Sequence, residues 1–242
     1  MTQSHRLENS GLIKRDKKLS FKFNGKTYYG FKGDTLASAW IANGVHLIGR
    51  SFKYHRPRGI YTCGIEEPNA LVQIISEHNE PNTRATIKRV YDGMEIISQN
   101  RWPSLRHDFG AINNILSPIF SAGFYYKTFM GPKGFWKNLY EPLIRRSAGL
   151  GKPPKNFRSK STHQYHNTDV VIIGAGLSGL AAAKKFINTK YQVLLIEQDC
   201  YLGGILKNSN KVKTINGLSP QEWISETEEL ILNSKNIGEK LA

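Results

Sequence analysis

The sequence is poor in cysteine, in long apolar runs and, over its first part, in acidic residues. Only two cysteines, Cys63 and Cys200, occur among 242 residues, which excludes a disulfide scaffold and a four-cysteine cluster. No apolar run reaches the roughly 18 residues that a membrane-spanning helix needs. The first twenty residues lack the apolar stretch of a signal peptide. These absences predict a cytoplasmic protein without a membrane anchor.

Acidic residues are scarce in only one part of the chain. Residues 1–168 contain 26 Lys and Arg against 11 Asp and Glu, whereas residues 169–242 contain eight of each kind. The whole net charge of +15 therefore lies in the first part. Such an excess suits nucleic acid, an acidic partner or an anionic substrate, and it also occurs on solvated faces that bind nothing in particular. This division predicts two different modules.

Residues 1–100 have the pattern of a small α+β domain. Alternation of apolar residues over Leu19–Phe23 predicts a half-buried strand, and Asn24-Gly25 predicts a tight hairpin turn. A helix is predicted next, with Asp34 as its N-cap and Gly44 as its stop. Further strands are predicted at residues 70–75, 85–90 and 94–97. A hairpin, a helix and more strands in this order are typical of the β-grasp fold.

This arrangement resembles the plant-type ferredoxin domain, in which the loop after the first helix carries the iron–sulfur cysteines. The matching loop in this chain is residues 45–64. It contains one cysteine, Cys63, whereas a plant-type cluster needs four thiolates. We therefore expect a ferredoxin-like β-grasp domain without a cluster. Cys63 is interpreted as a small buried side chain.

The same loop interleaves cations with aromatic residues. The cations are Arg50, Lys53, His55, Arg56 and Arg58, and the aromatic residues are Phe52, Tyr54 and Tyr61. This pattern can neutralise phosphates and stack bases, as in a nucleic-acid-binding protein. It also occurs where aromatic residues pack inward and arginines pair with Glu66, Glu67 or a neighbouring domain. Of the two hypotheses, an internal or subunit interface is preferred to nucleic acid.

Residues 101–165 form an aromatic-rich connector that contains 12 of the 26 aromatic residues. Exposing so many would leave a large apolar patch, so we expect the connector to pack on its own domains or on another subunit. Within it, residues 149–160 are rich in Gly, Pro and charge and predict a linker. His163 and His166 lack a further ligand at metal spacing, so no metal site is predicted.

Residues 166–242 predict a dinucleotide-binding module. The apolar run Val170–Ile173 predicts a buried parallel strand and is followed at once by Gly174-x-Gly176-x-x-Gly179 and a helical segment. Gly174 makes the tight turn, Gly176 lets the backbone approach a pyrophosphate, and Gly179 lets the helix pack on the strand. The helix N-terminus then offers free N–H groups to the phosphates.

A second apolar strand, Gln192–Ile196, ends in Glu197, 18 residues beyond Gly179. An acidic residue at this spacing is expected to bond a ribose hydroxyl, and it disfavours a 2′-phosphate. The ligand is therefore expected to be NAD or FAD rather than NADP. The closing helix starts with a capping box at Ser219. Because only two strands are predicted, the module is interpreted as the start of a Rossmann-type α/β domain, cut short.

Several longer motifs resemble the large (alpha) subunit of heterotetrameric sarcosine oxidase over about Leu19–Asn236. They are GRSFKYHRPRGI (49–60), EEPNAL (66–71), SQNRWPSL (98–105), AGFYYKTFM (122–130) and YEPLIRRSAGLG (140–151). Opine oxidases and hydrogen cyanide synthase share this architecture and are the alternatives.

This resemblance implies a part in the oxidative demethylation of sarcosine to glycine and hydrogen peroxide, coupled to tetrahydrofolate. It implies NAD on this chain, FMN at the alpha–beta interface, FAD in the partner subunit, and beta, gamma and delta subunits as partners. The cofactor-binding residues it implies are Gly174, Ala175, Gly176, Ser178, Gly179, Glu197, Gln198 and Gly204. No residue is assigned a catalytic role, and the chain is expected to be inactive alone because it is shorter than that subunit.

Overall fold

The structure, a computed structural model, describes residues 3–9, 11, 13–76, 79–118, 123, 131–148, 163–199, 201–207 and 211–241. The chain divides into two compact units, Met1–Ser159 and Lys160–Ala242. The finer boundaries at residues 100 and 165 remain a prediction. No helix within the described ranges combines the length and the apolar character needed to cross a membrane.

The β-grasp part of the first unit contains a five-stranded mixed sheet and an α-helix. The strands are β1 (Lys14–Phe23), β2 (Lys26–Lys32), β5 (Leu71–Ile74), β6 (Glu80–Arg84) and β7 (Met94–Ser98), and the short β3 (Gly49–Arg50) and β4 (Pro57–Arg58) pair separately. The order in the sheet is β2-β1-β7-β5-β6, with β1 and β7 parallel. Helix α1 (Leu36–Ala42) follows the first hairpin. This α+β arrangement agrees with the predicted β-grasp domain.

The core of this unit lies where β1 and α1 meet. Phe21 and Phe23 are buried while Lys22 between them is exposed, as the alternation predicts. Trp40 is fully buried on α1, with its ring centroid 4.6 Å from that of Phe23. Asn24 has a φ of 50° and Gly25 one of 81°, which confirms the predicted hairpin turn.

Two local predictions in this unit are wrong. Thr35, not Asp34, is the N-cap of α1, because the Asp34 carboxylate is buried in an ion pair with Arg6 at 2.7 Å. Residues 85–90 form a turn at 85–87 and an isolated bridge between Arg89 and Thr35 instead of a strand, since the edge strand ends at Arg84 and the N–H groups of Ile87 and Lys88 bond back to its carbonyl oxygen. The predicted strands at residues 70–75 and 94–97 correspond to β5 and β7.

The described part of the connector contains short helices. A 3-10 helix spans Phe109–Asn114, and a π-helical turn at Trp136–Tyr140 leads into α2 (Glu141–Ala148). Several of its large apolar residues are exposed: Trp102, Phe109, Ile112, Ile115, Phe135, Trp136, Leu139 and Leu143. These residues therefore do not pack on the described parts of their own unit, and the other half of the expectation, packing on another subunit, stays a prediction. The predicted linker at 149–160 and the motif at 122–130 lie largely outside the described residues.

The second unit is a three-stranded parallel sheet with helices in the connections. Its elements are β8 (Val170–Ile173), α3 (Leu177–Phe186), β9 (Val193–Glu197), α4 (Pro220–Leu232) and β10 (Ile237–Leu241), and the sheet order is β10-β9-β8. This is the 3-2-1 half of a doubly wound sheet. The strand β10, which pairs with β9, was not expected from the sequence.

Burial in the second unit follows this strand order. Leu195 on the central strand is fully buried, and Trp223 and Ile231 of α4 lie in the same cluster. The prediction that Val170–Ile173 is a buried strand is wrong: β8 is at the edge, and Ile173 is 84% exposed. Helix α4 begins as predicted, because Ser219 and Glu222 cap each other reciprocally.

Candidate functional site

The glycine-rich turn joins β8 to α3. Gly174 has a φ of 93°, a conformation that residues with a Cβ rarely adopt, and its N–H donates to the carbonyl of Ile196 over 2.8 Å. Gly176 is the N-cap of α3 and has no side chain to satisfy the first helical N–H groups. The turn therefore ends with free N–H donors and the positive end of the helix dipole.

The other two glycines are needed for different reasons. A Cβ at Gly179 would overlap the carbonyl oxygen of Gly174, so only glycine allows α3 to approach the turn so closely. A Cβ at Gly176 would meet no other heavy atom within 4 Å. The fold itself therefore does not require glycine at position 176, and the space beside it is open to a ligand.

The segment after β9 packs on this turn. The Gly203 N–H donates to the carbonyl of Ala175 over 2.8 Å, and Leu202 is fully buried. Gly204 has a φ of 51°, and a Cβ there would lie 3.3 Å from the Cα of Gly176. Gly203 and Gly204 thus form one side of the turn.

Glu197, at the end of β9, contacts the turn directly. Its Oε2 accepts the N–H of Ala175 at 2.5 Å, and its Oε1 accepts the N–H of Asp199 at 3.0 Å. The structure thereby brings together Gly174, Ala175, Gly176, Gly179, Glu197 and Gly204. Ser178 and Gln198 are exposed, on the first turn of α3 and just after β9. Within the described residues, neither of these two side chains hydrogen-bonds to the turn.

The cationic loop of the first unit is held by a buried polar cluster that the sequence did not reveal. His55 Nδ1 lies 2.7 Å from Asp108 Oδ2, and both side chains are almost fully buried. Arg50 lies 4.0 Å from the same carboxylate and donates to the carbonyl of Leu105 through Nε at 2.9 Å. These partners are about 55 residues apart in the chain, too far for a local motif.

Among the described residues, Arg50 pairs with Asp108, and no ion pair joins Glu66 or Glu67 to an arginine of this loop, contrary to one hypothesis. Glu67 is buried and accepts four backbone N–H groups, from Tyr61, Thr62, Asn69 and Ala70. Burial alone would raise the pKa of Glu67, but these four donors stabilise its anion and hold the pKa below the usual value. Glu67 therefore shapes the loop between α1 and β5.

Within the described part of the chain, neither Cys63 nor the histidine pair lies in a cluster of metal ligands. Cys63 is exposed, so its interpretation as a buried side chain is wrong; it lies outside the core, at the start of a 3-10 helix. Cys200 lies outside the described residues. His163 and His166 are exposed. Among the described residues, no three His, Cys, Asp or Glu side chains are grouped so that they could hold a metal ion.

Comparison with protein families agrees with a two-domain layout. Residues 16–101 match the family described as a 2Fe-2S iron-sulfur cluster binding domain. Residues 156–210, which include the glycine-rich turn and Glu197, match the Thi4 family. The two matches leave residues 102–155 of the connector between them.

Comparison with known proteins confirms the resemblance to the N-terminal portion of sarcosine oxidase subunit alpha. The protein of that name from Rhizobium meliloti (strain 1021) is 47% identical over 240 residues, covering 97% of this chain and 24% of the relative. The one from Corynebacterium sp. (strain U-96) is 30% identical over 223 residues, covering 90% of this chain and 18% of the relative. The chain thus spans about a quarter of these relatives or less.

A solved structure supports the fold. L-proline dehydrogenase from P. horikoshii aligns with 94% of this chain and 34% of its own, with a TM-score of 0.52 and 21% identity. At this identity the likeness concerns the fold alone. By their names these relatives and this neighbour are oxidoreductases or their subunits.

Proposed function

We propose that the second unit binds NAD at the turn between β8 and α3. The observation that carries the proposal is the open space beside Gly176, next to the unpartnered helix N-terminus. Gly174, Ala175, Gly176, Ser178 and Gly179 would face the pyrophosphate. Glu197 and Gln198 would meet the adenosine ribose, and Gly204 would border the turn.

Glu197 supports NAD over NADP. Its carboxylate would accept a ribose hydroxyl, whereas a 2′-phosphate beside it would be repelled. When bound, a nicotinamide dinucleotide supplies a hydride donor or acceptor. The role of this chain is to orient the dinucleotide, through the turn's N–H groups and the Glu197 carboxylate. FAD is the alternative ligand of the same turn, because domains that bind NAD and domains that bind FAD share the Gly-x-Gly-x-x-Gly motif.

We further propose that the chain is the N-terminal part of the alpha subunit of a sarcosine oxidase-like flavoenzyme complex. The support is the 47% identity with a protein of that name over nearly the whole chain. In this proposal the complex oxidises sarcosine with dioxygen as the two-electron acceptor, which yields glycine and hydrogen peroxide, and the oxidised methyl carbon passes to tetrahydrofolate. FMN would lie at a subunit interface, FAD in the beta subunit, and gamma and delta subunits would complete a cytoplasmic heterotetramer. An opine oxidase or a hydrogen cyanide synthase-like complex is the alternative.

The residues present do not fit an iron–sulfur cluster in the first unit, although its family is named for one. A cluster of this type takes four thiolates, and the 242 residues hold two cysteines, of which only Cys63 lies in the matched range. We propose that the β-grasp unit has kept the fold as a scaffold. Its loop is fixed by the polar cluster around Asp108.

The test of dinucleotide binding is calorimetric titration of the chain with NAD, NADP and FAD at moderate salt. We expect saturable binding of NAD, weaker binding of NADP, and loss of both in Gly176→Val, which fills the open space. A chain that is folded by circular dichroism but binds no dinucleotide would contradict the proposal. If FAD binds more tightly than NAD and the purified protein is yellow, FAD and not NAD is the ligand of this turn.

A further inference from the structure

An apolar ridge stands on the surface of the first unit. It consists of Trp102, Phe109, Ile112 and Ile115, each of which exposes between 58% and 80% of its surface. Phe109 and Ile112 lie on the 3-10 helix and Ile115 is its C-cap. Because the three residues are spaced three positions apart, their side chains lie in one row. The Trp102 ring extends the row, because its centroid lies 5.2 Å from that of Phe109.

Hydrogen bonds to Asp108 and between backbone groups fix the backbone that carries the ridge. Asp108 caps the 3-10 helix and also accepts the N–H of Trp102 at 2.9 Å, while its second oxygen contacts His55. The Phe109 N–H donates to the Trp102 carbonyl at 2.8 Å. A surface whose apolar residues are fixed before binding loses little conformational entropy when a partner covers it. Exposed apolar residues in such a row mark an interaction surface.

The surroundings of the ridge are positively charged. The hairpin from residue 49 to 58 is fastened to the helix by two contacts, Arg56 Nε to Asn114 Oδ1 at 2.9 Å and Asn113 Nδ2 to the Lys53 carbonyl at 3.3 Å. This hairpin and the described residues 96–118 contain one acidic residue, Asp108, which is buried. Arg56, Arg58 and Arg106 are exposed. These exposed arginines form a positively charged rim, so a complementary partner surface would carry negative charge.

We propose that the ridge inserts into an apolar groove with an acidic rim on another protein subunit. The centre of the row is aliphatic, and Ile112 and Ile115 cannot stack on bases, which argues against nucleic acid. The proposal rests on the proposed function in one respect: the partner is a subunit of the same oxidase complex.

The test measures binding of the 242-residue chain to the purified beta, gamma and delta subunits, each alone. We expect one of them to bind, more weakly as salt rises, because the charged rim is screened. Ile112→Asp should weaken this binding at least tenfold. Ile65→Asp is the matched control, since Ile65 is 57% exposed, almost the same as Ile112, but lies on a different helix. It should change the affinity less than twofold.

Three outcomes would overturn the proposal. They are binding that is unchanged in Ile112→Asp, equal losses in both variants, and no binding of the unmodified chain to any subunit. A ridge-dependent dimer by light scattering, or oligonucleotide binding that Ile112→Asp abolishes, would assign the ridge to a second copy or to nucleic acid instead. NAD titration of the same variants separates the two proposals, because it should be unaffected by changes at the ridge.

Discussion

The Glu197 carboxylate accepts the N–H of Ala175, with 2.5 Å between Oε2 and the nitrogen, and so ties the end of β9 to the glycine-rich turn. The second oxygen holds the N–H of Asp199. One acidic side chain therefore fixes both segments that border the proposed ribose site. A ligand hydroxyl would add a bond to an anion that is already oriented, which favours binding through preorganisation.

The first prediction concerns this carboxylate. Glu197→Ala should weaken NAD binding by about 1–3 kcal/mol, because it removes a hydrogen bond to a charged acceptor and frees the Ala175 N–H. This corresponds to a rise in Kd of roughly 5–150-fold, measurable by calorimetry. Glu226→Ala removes a carboxylate from the exposed side of α4 and should leave Kd unchanged. An equal effect of the two variants would mean that net charge, and not the position of Glu197, controls binding.

The second prediction separates the roles of two glycines. Gly179→Ala should destabilise the second unit by about 1–3 kcal/mol or more, since its Cβ would overlap the Gly174 carbonyl oxygen. Gly176→Ala should cost about 1 kcal/mol or less in stability, because its Cβ enters open space, but it should still weaken NAD binding strongly. Urea unfolding and NAD titration of both variants check this pair. A Gly176→Ala protein with native affinity would show that the pyrophosphate does not lie there.

What the sequence predicted well is local. The hairpin at Asn24-Gly25, the positive φ of Gly174 and the capping box at Ser219 each depend on residues within four positions of one another. Backbone conformation and short-range hydrogen bonds dictate such features regardless of the rest of the chain. The turn that carries the proposed dinucleotide site belongs to this class.

What the sequence did not predict depends on contacts between distant segments. An apolar run such as Val170–Ile173 has the same sequence pattern in a central strand and in an edge strand. Among the described residues, β8 pairs with β9 on one side and has no strand on the other. Asp34 has the side chain of an N-cap, but an ion pair with Arg6, 28 residues away, occupies it. His55 and Asp108 meet across 53 residues, and no spacing rule connects them.

The third prediction concerns the pH dependence of the first unit. Because the pKa of Glu67 is lowered in the folded state, its contribution is present above the ordinary glutamate value of about 4.3 and is lost as the pH falls through the lower folded-state pKa. Glu67→Gln should destabilise the unit by about 2–4 kcal/mol at pH 7, since backbone donors lose a buried anion. Below pH 4 the difference from the unmodified chain should shrink. Denaturant unfolding from pH 7 to pH 3 measures it.

The neighbouring Glu66→Gln provides the control for that series. Glu66 is exposed, whereas Glu67 is buried and accepts four backbone N–H groups, so the Glu66 change should stay within about 0.5 kcal/mol at every pH. A Glu67→Gln protein as stable as this control at pH 7 would contradict the role of Glu67 in shaping the loop.

The last prediction concerns a carboxyl group whose pKa is raised by folding, whereas that of Glu67 is lowered. Burial raises the pKa of Glu239 on β10, with a further contribution from the charge of Glu228, and its Oε2 has no hydrogen-bond partner among the described residues. A raised folded-state pKa costs no stability at low pH, and the cost develops as the pH rises above about 4.3. Glu239→Gln should therefore stabilise the second unit at pH 7, by up to about 1 kcal/mol because the side chain is only half-buried.

Urea unfolding between pH 4 and pH 7.5 checks this effect. The gain in Glu239→Gln should vanish toward pH 4, where the carboxyl of the unmodified chain is itself protonated. Glu228→Gln should give a smaller gain, since it removes only the repulsion and leaves Glu239 buried. Glu229, like Glu228, lies on α4 but is exposed, so Glu229→Gln should change stability by less than about 0.5 kcal/mol. Destabilisation by Glu239→Gln at pH 7 would mean that the carboxylate is needed where it lies, and that β10 accommodates the charge without the cost inferred from its burial.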